Sequence, residues 1–263
     1  MLKRGLPIVG AIALGLLRLS DASACSCMAP QIAIVGPDRV SDAPLNARVR
    51  FVVPIQTAPA ATAVVRVSDT SAKADVAERR WVDGTQIFVE LTPSKPLGPD
   101  TRYEVALVSS DPSAYPSTTV LGTFKTGTSA DTTPPKLDSV GAAVAKGNLR
   151  AGGGDCTIQG PWIEIANVSA SDPGRPAARL MYGVWAADAA GHLDTTKPPA
   201  ALISKYLDTL TIGKRSLCDP HDFPISMSAP SMTIAIAAVD EAGNTSPPRR
   251  LPKISLSGIG AHP

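Results

Sequence analysis

Proline is spread along the whole chain, 25 of 263 residues, about twice the ~5% of an average protein. Inside a helix a proline removes a backbone donor and clashes with the preceding turn, so this distribution leaves no room for long helices. Short strands joined by turns tolerate it. Glycine adds 21 residues, yet the two together stay below the roughly 25–30% at which composition alone signals low complexity. The chain is expected to fold, and to fold as an all-β protein.

The N-terminus is to be set apart from that fold. Lys3 and Arg4 precede an uncharged run from Leu6 to Leu17, and Ala22-Ser23-Ala24 follows shortly after. A basic start, an apolar stretch and an A-x-A site are the three parts of a secretory signal. The run is shorter than the about 20 apolar residues of a spanning helix. Residues 1–24 are therefore read as a signal peptide, and the protein as exported to the periplasm, the cell surface or the medium. Cleavage turns the formal charge of +2 into zero, because it removes Lys3, Arg4, Arg18 and Asp21 and leaves 22 basic against 22 acidic residues. Nucleic-acid binders rely on a basic field, and none is left here.

Four cysteines remain after cleavage: Cys25, Cys27, Cys156 and Cys218. An oxidising compartment allows disulfides, and four cysteines permit three connectivities. Cys156 with Cys218 is the preferred pair, since both lie in the second half of the chain. It would close a loop of about 60 residues, which the chain-entropy model values at roughly 4 kcal/mol. The short segment 25–30 holds Cys25-Ser26-Cys27, which can close on itself, bind metal, or carry a lipid anchor on Cys25. The position three before Cys25 is Ala22 rather than the leucine of most lipoprotein signals, so ordinary cleavage after Ala24 is the expectation and the anchor is the alternative. This start also resembles the N-terminus of tissue inhibitors of metalloproteinases, over Cys25, Ser26, Cys27 and Pro30 alone.

Between residues 31 and 128, runs of strand-forming residues alternate with turn residues. The clearest runs are 47–53 (ARVRFVV), 63–67 (AVVRV), 86–91 (QIFVEL), 102–108 (RYEVALV) and 120–125 (VLGTFK). In the first, Val49, Phe51 and Val53 share one face while Arg48 and Arg50 share the other, the pattern of a strand with one side on a core and one in water. Tyr103, Val105 and Leu107 repeat it. Such strands, without an amphipathic helix among them, predict an antiparallel β-sandwich.

The order of several motifs adds a resemblance. Asp42-Ala43-Pro44-Leu45-Asn46-Ala47-Arg48-Val49-Arg50-Phe51, Val89-Glu90-Leu91-Thr92-Pro93, Pro96-Leu97-Gly98-Pro99-Asp100-Thr101-Arg102-Tyr103-Glu104-Val105 and Thr123-Phe124-Lys125-Thr126-Gly127 together resemble the bacterial Ig-like domain of S-layer and other surface proteins. The resemblance covers nearly all of residues 31–128. It implies a structural and interaction module with neither catalytic residues nor a cofactor. The residues agree: Tyr103, after the turn at 99–101, offers its ring to the core and its hydroxyl to a backbone partner, as in a tyrosine corner.

Residues 129–135 end in Thr132-Thr133-Pro134-Pro135 and read as a short, fairly stiff linker. From 136 to 256 the all-β signals recur at 162–168 (WIEIANV), 179–186 (RLMYGVWA) and 232–239 (MTIAIAAV), followed by a tail at 257–263. The last two runs lead into Ala187-Asp188-Ala189-Ala190-Gly191-His192 and Val239-Asp240-Glu241-Ala242-Gly243-Asn244. These phrases resemble a hairpin turn of bacterial Ig-like and fibronectin-III-like domains. Turn chemistry is their first explanation, with Asp and Asn bonding nearby backbone and Gly taking positive φ. Two tandem Ig-like sandwiches are thus expected, the second enlarged.

Chemistry-bearing motifs are sparse. The sequence contains no G-x-S-x-G elbow, no H-E-x-x-H helix and no G-x-x-x-x-G-K-[ST] loop. Asp188, Asp194, Asp240 and Glu241 are hard oxygen donors on loops expected at one end of the second sandwich, the ligand type that calcium selects, and they are the weak metal candidates. Asp219, His221 and Asp222 beside Cys218 form a second polar cluster, read as a solvated loop. Trp81 with Arg79 and Arg80, expected to be exposed, is the candidate contact for an envelope protein or a polysaccharide. The functional expectation is a non-catalytic exported module of adhesion type. A secreted inhibitor or ligand-binding protein acting through Cys25 and Cys27 is the alternative, and a hydrolase the third reading.

Overall fold

A computed structural model describes residues 32–256, apart from 55–60, 69, 71, 84–85, 110–117, 149–158, 174, 176–178, 189, 206 and 214–229. The expected signal segment 1–24, all four cysteines, the 219–222 cluster and the C-terminal tail lie outside the described residues, so the disulfide and lipid expectations fall there as well. Regular structure within the described residues is β throughout, and none of it is a helix long and apolar enough to cross a membrane.

The first sandwich is built from β1 (Ala33–Gly36), β2 (Val49–Pro54), β3 (Ala61–Val67), β4 (Val76–Asp83), β5 (Gln86–Pro93), β6 (Arg102–Ser109) and β7 (Thr118–Lys125). One sheet runs β1-β2-β5-β4 and the other β3-β6-β7, with antiparallel pairing throughout. In strand order this is ABED against CFG, the constant-type Ig arrangement. Alternation carries Val49, Phe51 and Val53 of β2 and Val89 and Leu91 of β5 to one face, against Val65, Val105, Leu107 and Phe124 of the other sheet. Tyr103 stacks on Phe124 with ring centroids 5.5 Å apart, and its hydroxyl accepts the N–H of Gly98 at 2.8 Å. The tyrosine corner expected from the sequence is thus formed.

The second sandwich comprises β8 (Lys136–Ser139), β9 (Ala143–Asn148), β10 (Gln159–Ile165), β11 (Ser169–Ser171), β12 (Met181–Ala186), β13 (Ala201–Ile203), β14 (Leu210–Gly213), β15 (Ser231–Met232), β16 (Ile234–Val239), β17 (Arg249–Arg250) and β18 (Ile254–Ser255). The main sheets are β14-β10-β9 and β13-β12-β16-β17, with the short pairs β11-β8 and β15-β18 beside them. Ile163, Ile165, Leu210 and Ile212 meet Tyr182, Val184, Ile234 and Ile236 in its core. The strand expected at 162–168 is broken: Asn167 takes φ 53, and the chain resumes as β11 to pair with β8. The two sandwiches also differ in one strand. After its third strand the first domain sends β4 to β5, whereas the second sends β13 to β12, in the opposite sheet.

Arg50 departs from the expectation of a solvated face. It is only 2% exposed, because the second sandwich covers that side of β2.

Candidate functional site

The outer face of the β1-β2-β5-β4 sheet is where the domains meet. Arg50 and Glu90 are direct cross-strand partners, and Arg50 Nε donates to Glu90 Oε2 at 2.8 Å. The other carboxylate oxygen accepts from Arg48 Nη1 at 3.1 Å. Arg50 then reaches into the second domain, where its Nη1 donates to the Asp240 carbonyl at 2.7 Å. The Arg48 backbone N–H donates to the Glu241 carbonyl, also at 2.7 Å. Gly243, at φ 85, lies so close beneath the Arg48 guanidinium that a Cβ there would sit 2.1 Å from it. The positive φ favours glycine at this turn, and a side chain there would have to displace the Arg48 guanidinium.

Beside these ions lies a small apolar seam, in which Phe88, with Val52 and Trp81, packs against Met181, Leu202 and Val239. Trp81 meets Phe88 edge-on at 5.6 Å, Arg79 lies 4.4 Å over the Trp81 ring, and both donate to the Pro199 carbonyl, at 3.3 Å from Arg79 and 3.2 Å from Trp81. Burial lowers the Arg79 pKa, opposed by Glu90 and assisted by Arg48. The three residues expected to face a partner together are therefore divided. Arg79 and Trp81 are turned to the second domain and Trp81 is half-buried, while Arg80, on the opposite side of the strand by alternation, is exposed and pairs with Glu78.

The linker is held from both sides. Asp131 receives at its carbonyl the side-chain amides of Asn46, at 2.8 Å, and of Asn244, at 3.0 Å, and its own N–H donates to Asn46 Oδ1 at 2.9 Å. The Asn46 and Asn244 amides belong to motifs that looked like local turn chemistry. Their convergence on one carbonyl was not legible, since they stand far apart in the sequence.

Around that carbonyl the charges concentrate. Asp131, Asp172 and Asp240 bring one carboxylate oxygen each to within 4.8 Å of one another. Asp172 follows β11, Asp240 follows β16, and Asp131 comes from the linker. Arg175 Nε lies 3.3 Å from Asp131 Oδ2, and Arg179 Nη1 bridges Asp42 at 3.3 Å and Glu241 at 3.4 Å. Asp240 accepts at Oδ1 from the Asn244 N–H and at Oδ2 from its amide, both at 2.8 Å. Burial, followed by repulsion from Asp240 and Asp131, pushes the Asp172 carboxyl up to about 6, with Arg175 opposing. Burial also raises Asp240, against the Asn244 hydrogen bonds, and raises Glu241, against Arg179 and Arg175. A carboxyl raised by folding works against the folded state above its shifted pKa and ceases to do so as the pH falls.

The four carboxylates expected together are split. Antiparallel pairing sets Met181 opposite Val239 and Ala186 opposite Ile234, so the turn after β12 and the turn after β16 stand at opposite ends of the sheet. Asp188 and Asp194 line an open depression of about 220 Å³ with Trp185, His192 and Lys197. Each closes its own turn there: Asp188 Oδ1 accepts the N–H groups of Ala190 and His192, and Asp194 Oδ1 accepts from the N–H and hydroxyl of Thr196, which hold its pKa down to about 2. Glu241 is occupied with Arg179. Only Asp240 stands in a cluster of carboxylates, and its companions Asp131 and Asp172 carried no sequence signal beyond turn and linker composition.

No protein-family model and no curated protein matches the sequence. Among solved structures, the N-terminal Ig1-2 module of the Drosophila receptor protein tyrosine phosphatase DLAR aligns at 10% identity over 86% of this chain and 97% of that one, with a TM-score of 0.29. The fibronectin(III)-like modules of Clostridium thermocellum CbhA align at 13% identity over 88% and 94%, with a TM-score of 0.27. Superpositions at this level carry no argument about function. The assignment of Ig-like and fibronectin-III-like sandwiches rests on the strand order and register described above.

Proposed function

We propose that this chain is an exported, non-catalytic structural and interaction module of the bacterial envelope, in which two Ig-like sandwiches are held at a fixed angle and offer loops and edge strands to an envelope protein or a polysaccharide. The observation that carries this reading is the buried junction. Arg50 and Glu90 are withdrawn from water at a domain boundary and Asp131 is clamped from both sides, an arrangement that makes sense where the relative placement of the sandwiches matters. Domains joined only by a linker are expected to move freely unless their contact is extensive. Support for export comes from the tripartite segment 1–24, and support for a surface role from the resemblance of residues 31–128 to the bacterial Ig-like domain. Edge-strand addition is one mode of capture open to such modules.

The test is made in the bacterial host with the full chain carrying a C-terminal tag. Mass spectrometry of the N-terminus and fractionation should find a product beginning at Cys25, with or without lipid, in the envelope or medium. Cross-linking in intact cells should then recover an envelope protein or polysaccharide. A cytoplasmic product that retains residues 1–24 would overturn the proposal.

A further inference from the structure

We propose that Asp131, Asp172 and Asp240 form a binding site for a calcium-class divalent cation, which ties the linker to the second sandwich. The oxygens of the three carboxylates lie within 4.8 Å of one another, inside the ~4.6–5.2 Å that two ligands on opposite sides of a Ca²⁺ ion subtend at its 2.3–2.6 Å bond lengths. The donor set is oxygen only, the choice of a hard cation rather than zinc or copper.

A second observation is independent of the clustering. Asp172 is 9% exposed, its carboxylate is aimed at those of Asp131 and Asp240, and its buried Oδ1 has no hydrogen-bond partner. A buried acceptor without a donor is costly. No protein group among the described residues relieves that cost. Arg175 is the guanidinium in contact with the cluster, and it is directed to Asp131 Oδ2 and, at 3.8 Å, to Asp42. The Asn244 amide serves Asp240. Among the described residues three carboxylates thus face one contacting guanidinium, and the oxygen left over is the buried Oδ1 of Asp172. A divalent ion would satisfy it and cancel the mutual repulsion. The Asp131 side chain keeps 11% exposure, leaving a side from which water can complete the coordination shell.

The consequence is structural. Asp131 already receives Asn46 of the first sandwich and Asn244 of the second, so an ion bonded to its carboxylate would fix the linker where the domain angle is set. The site goes beyond the module reading and stands without it, since a chain with no partner would still bind the ion.

The experiment uses the full chain, stripped with chelator, titrated calorimetrically with CaCl₂ and followed by thermal unfolding. One Ca²⁺ per chain is expected, with a Tm several degrees higher and binding at least tenfold weaker in Asp172→Asn and in Asp240→Asn. Asp172→Asn should fold, because it relieves repulsion, and its metal-free Tm should equal or exceed the parent's. Asp194→Asn, whose carboxylate closes a turn at the other end of the sheet, should bind as the parent does. Absence of a Ca²⁺-dependent heat and Tm shift up to millimolar concentration would overturn the proposal. So would binding that survives Asp172→Asn or is lost in Asp194→Asn.

Discussion

The two faces of the central strands β2 and β5 are both buried, by opposite means. On the inner face Val49, Phe51, Val53, Val89 and Leu91 pack against the partner sheet of their own domain. On the outer face Arg50 and Glu90, at 2% and 4% exposure, are covered by the turn after β16 of the other domain, with Phe88 and Trp81 beside them. The difference teaches that alternation in a strand sorts residues between faces without saying what each face meets. An apolar face announces its burial. A charged one looks the same whether water or another domain lies over it.

The largest effects should come from breaking each face in turn. Phe51→Ala removes a ring from a dense core and should cost about 3–5 kcal/mol. Glu90→Gln leaves Arg50 as a buried charge without its counter-ion and should cost a similar ~3–5 kcal/mol. What separates the faces is the remedy. Replacing both ions together, as Arg50→Met with Glu90→Leu, should recover most of the loss, because apolar replacements of a buried pair are often neutral or stabilising. Urea unfolding followed by Trp fluorescence measures all three. A double variant as unstable as Glu90→Gln would show that the ions are needed as ions.

The first sandwich was legible because its signals are local. Val49, Phe51 and Val53 alternate, and the turn at 99–101 places Tyr103 for its corner. β4 was not legible, since Glu78, Arg79 and Arg80 in succession obscure the alternation, and two of its side chains answer to Pro199 in the other domain. The β10–β11 break was hidden because Asn167 interrupts a run whose composition is continuous. The junction was least legible of all. Asn46, Asp131, Asp172 and Asn244 are each good turn residues on their own, and only the tertiary fold brings them together.

A middle-sized effect tests the polar side of the comparison with the opposite sign. In chelator, Asp172→Asn should stabilise the chain at pH 7.5 by ~1–3 kcal/mol, since the folded state no longer holds a carboxylate against Asp131 and Asp240. The pH dependence follows from the same cause. Folding raises Asp172 to about 6, so the folded chain binds a proton that the unfolded chain releases near the ordinary carboxyl value. Its contribution favours the folded state at low pH and is lost as the pH climbs through about 6. The metal-free parent should therefore gain about 1 kcal/mol between pH 7.5 and pH 5 relative to Asp172→Asn. Parallel stability profiles for the two proteins would contradict this.

The smallest effect concerns whether the linker clamp is one device or two. The Asp131 carbonyl accepts from Asn46 and from Asn244, so deleting either amide leaves it one donor. Asn46→Ala should cost about 1–2 kcal/mol, because it also strands the Asp131 N–H, and Asn244→Ala at least as much, because its amide also serves the buried Asp240 Oδ2. With both removed the carbonyl loses both side-chain donors, so the double variant should exceed the sum of the singles by at least ~0.5 kcal/mol. Such coupling marks a junction in which first domain, linker and second domain share an acceptor. Strict additivity would mean that the two motifs merely close their own turns, and that the polar face of the sheet holds the domains together without the linker's help.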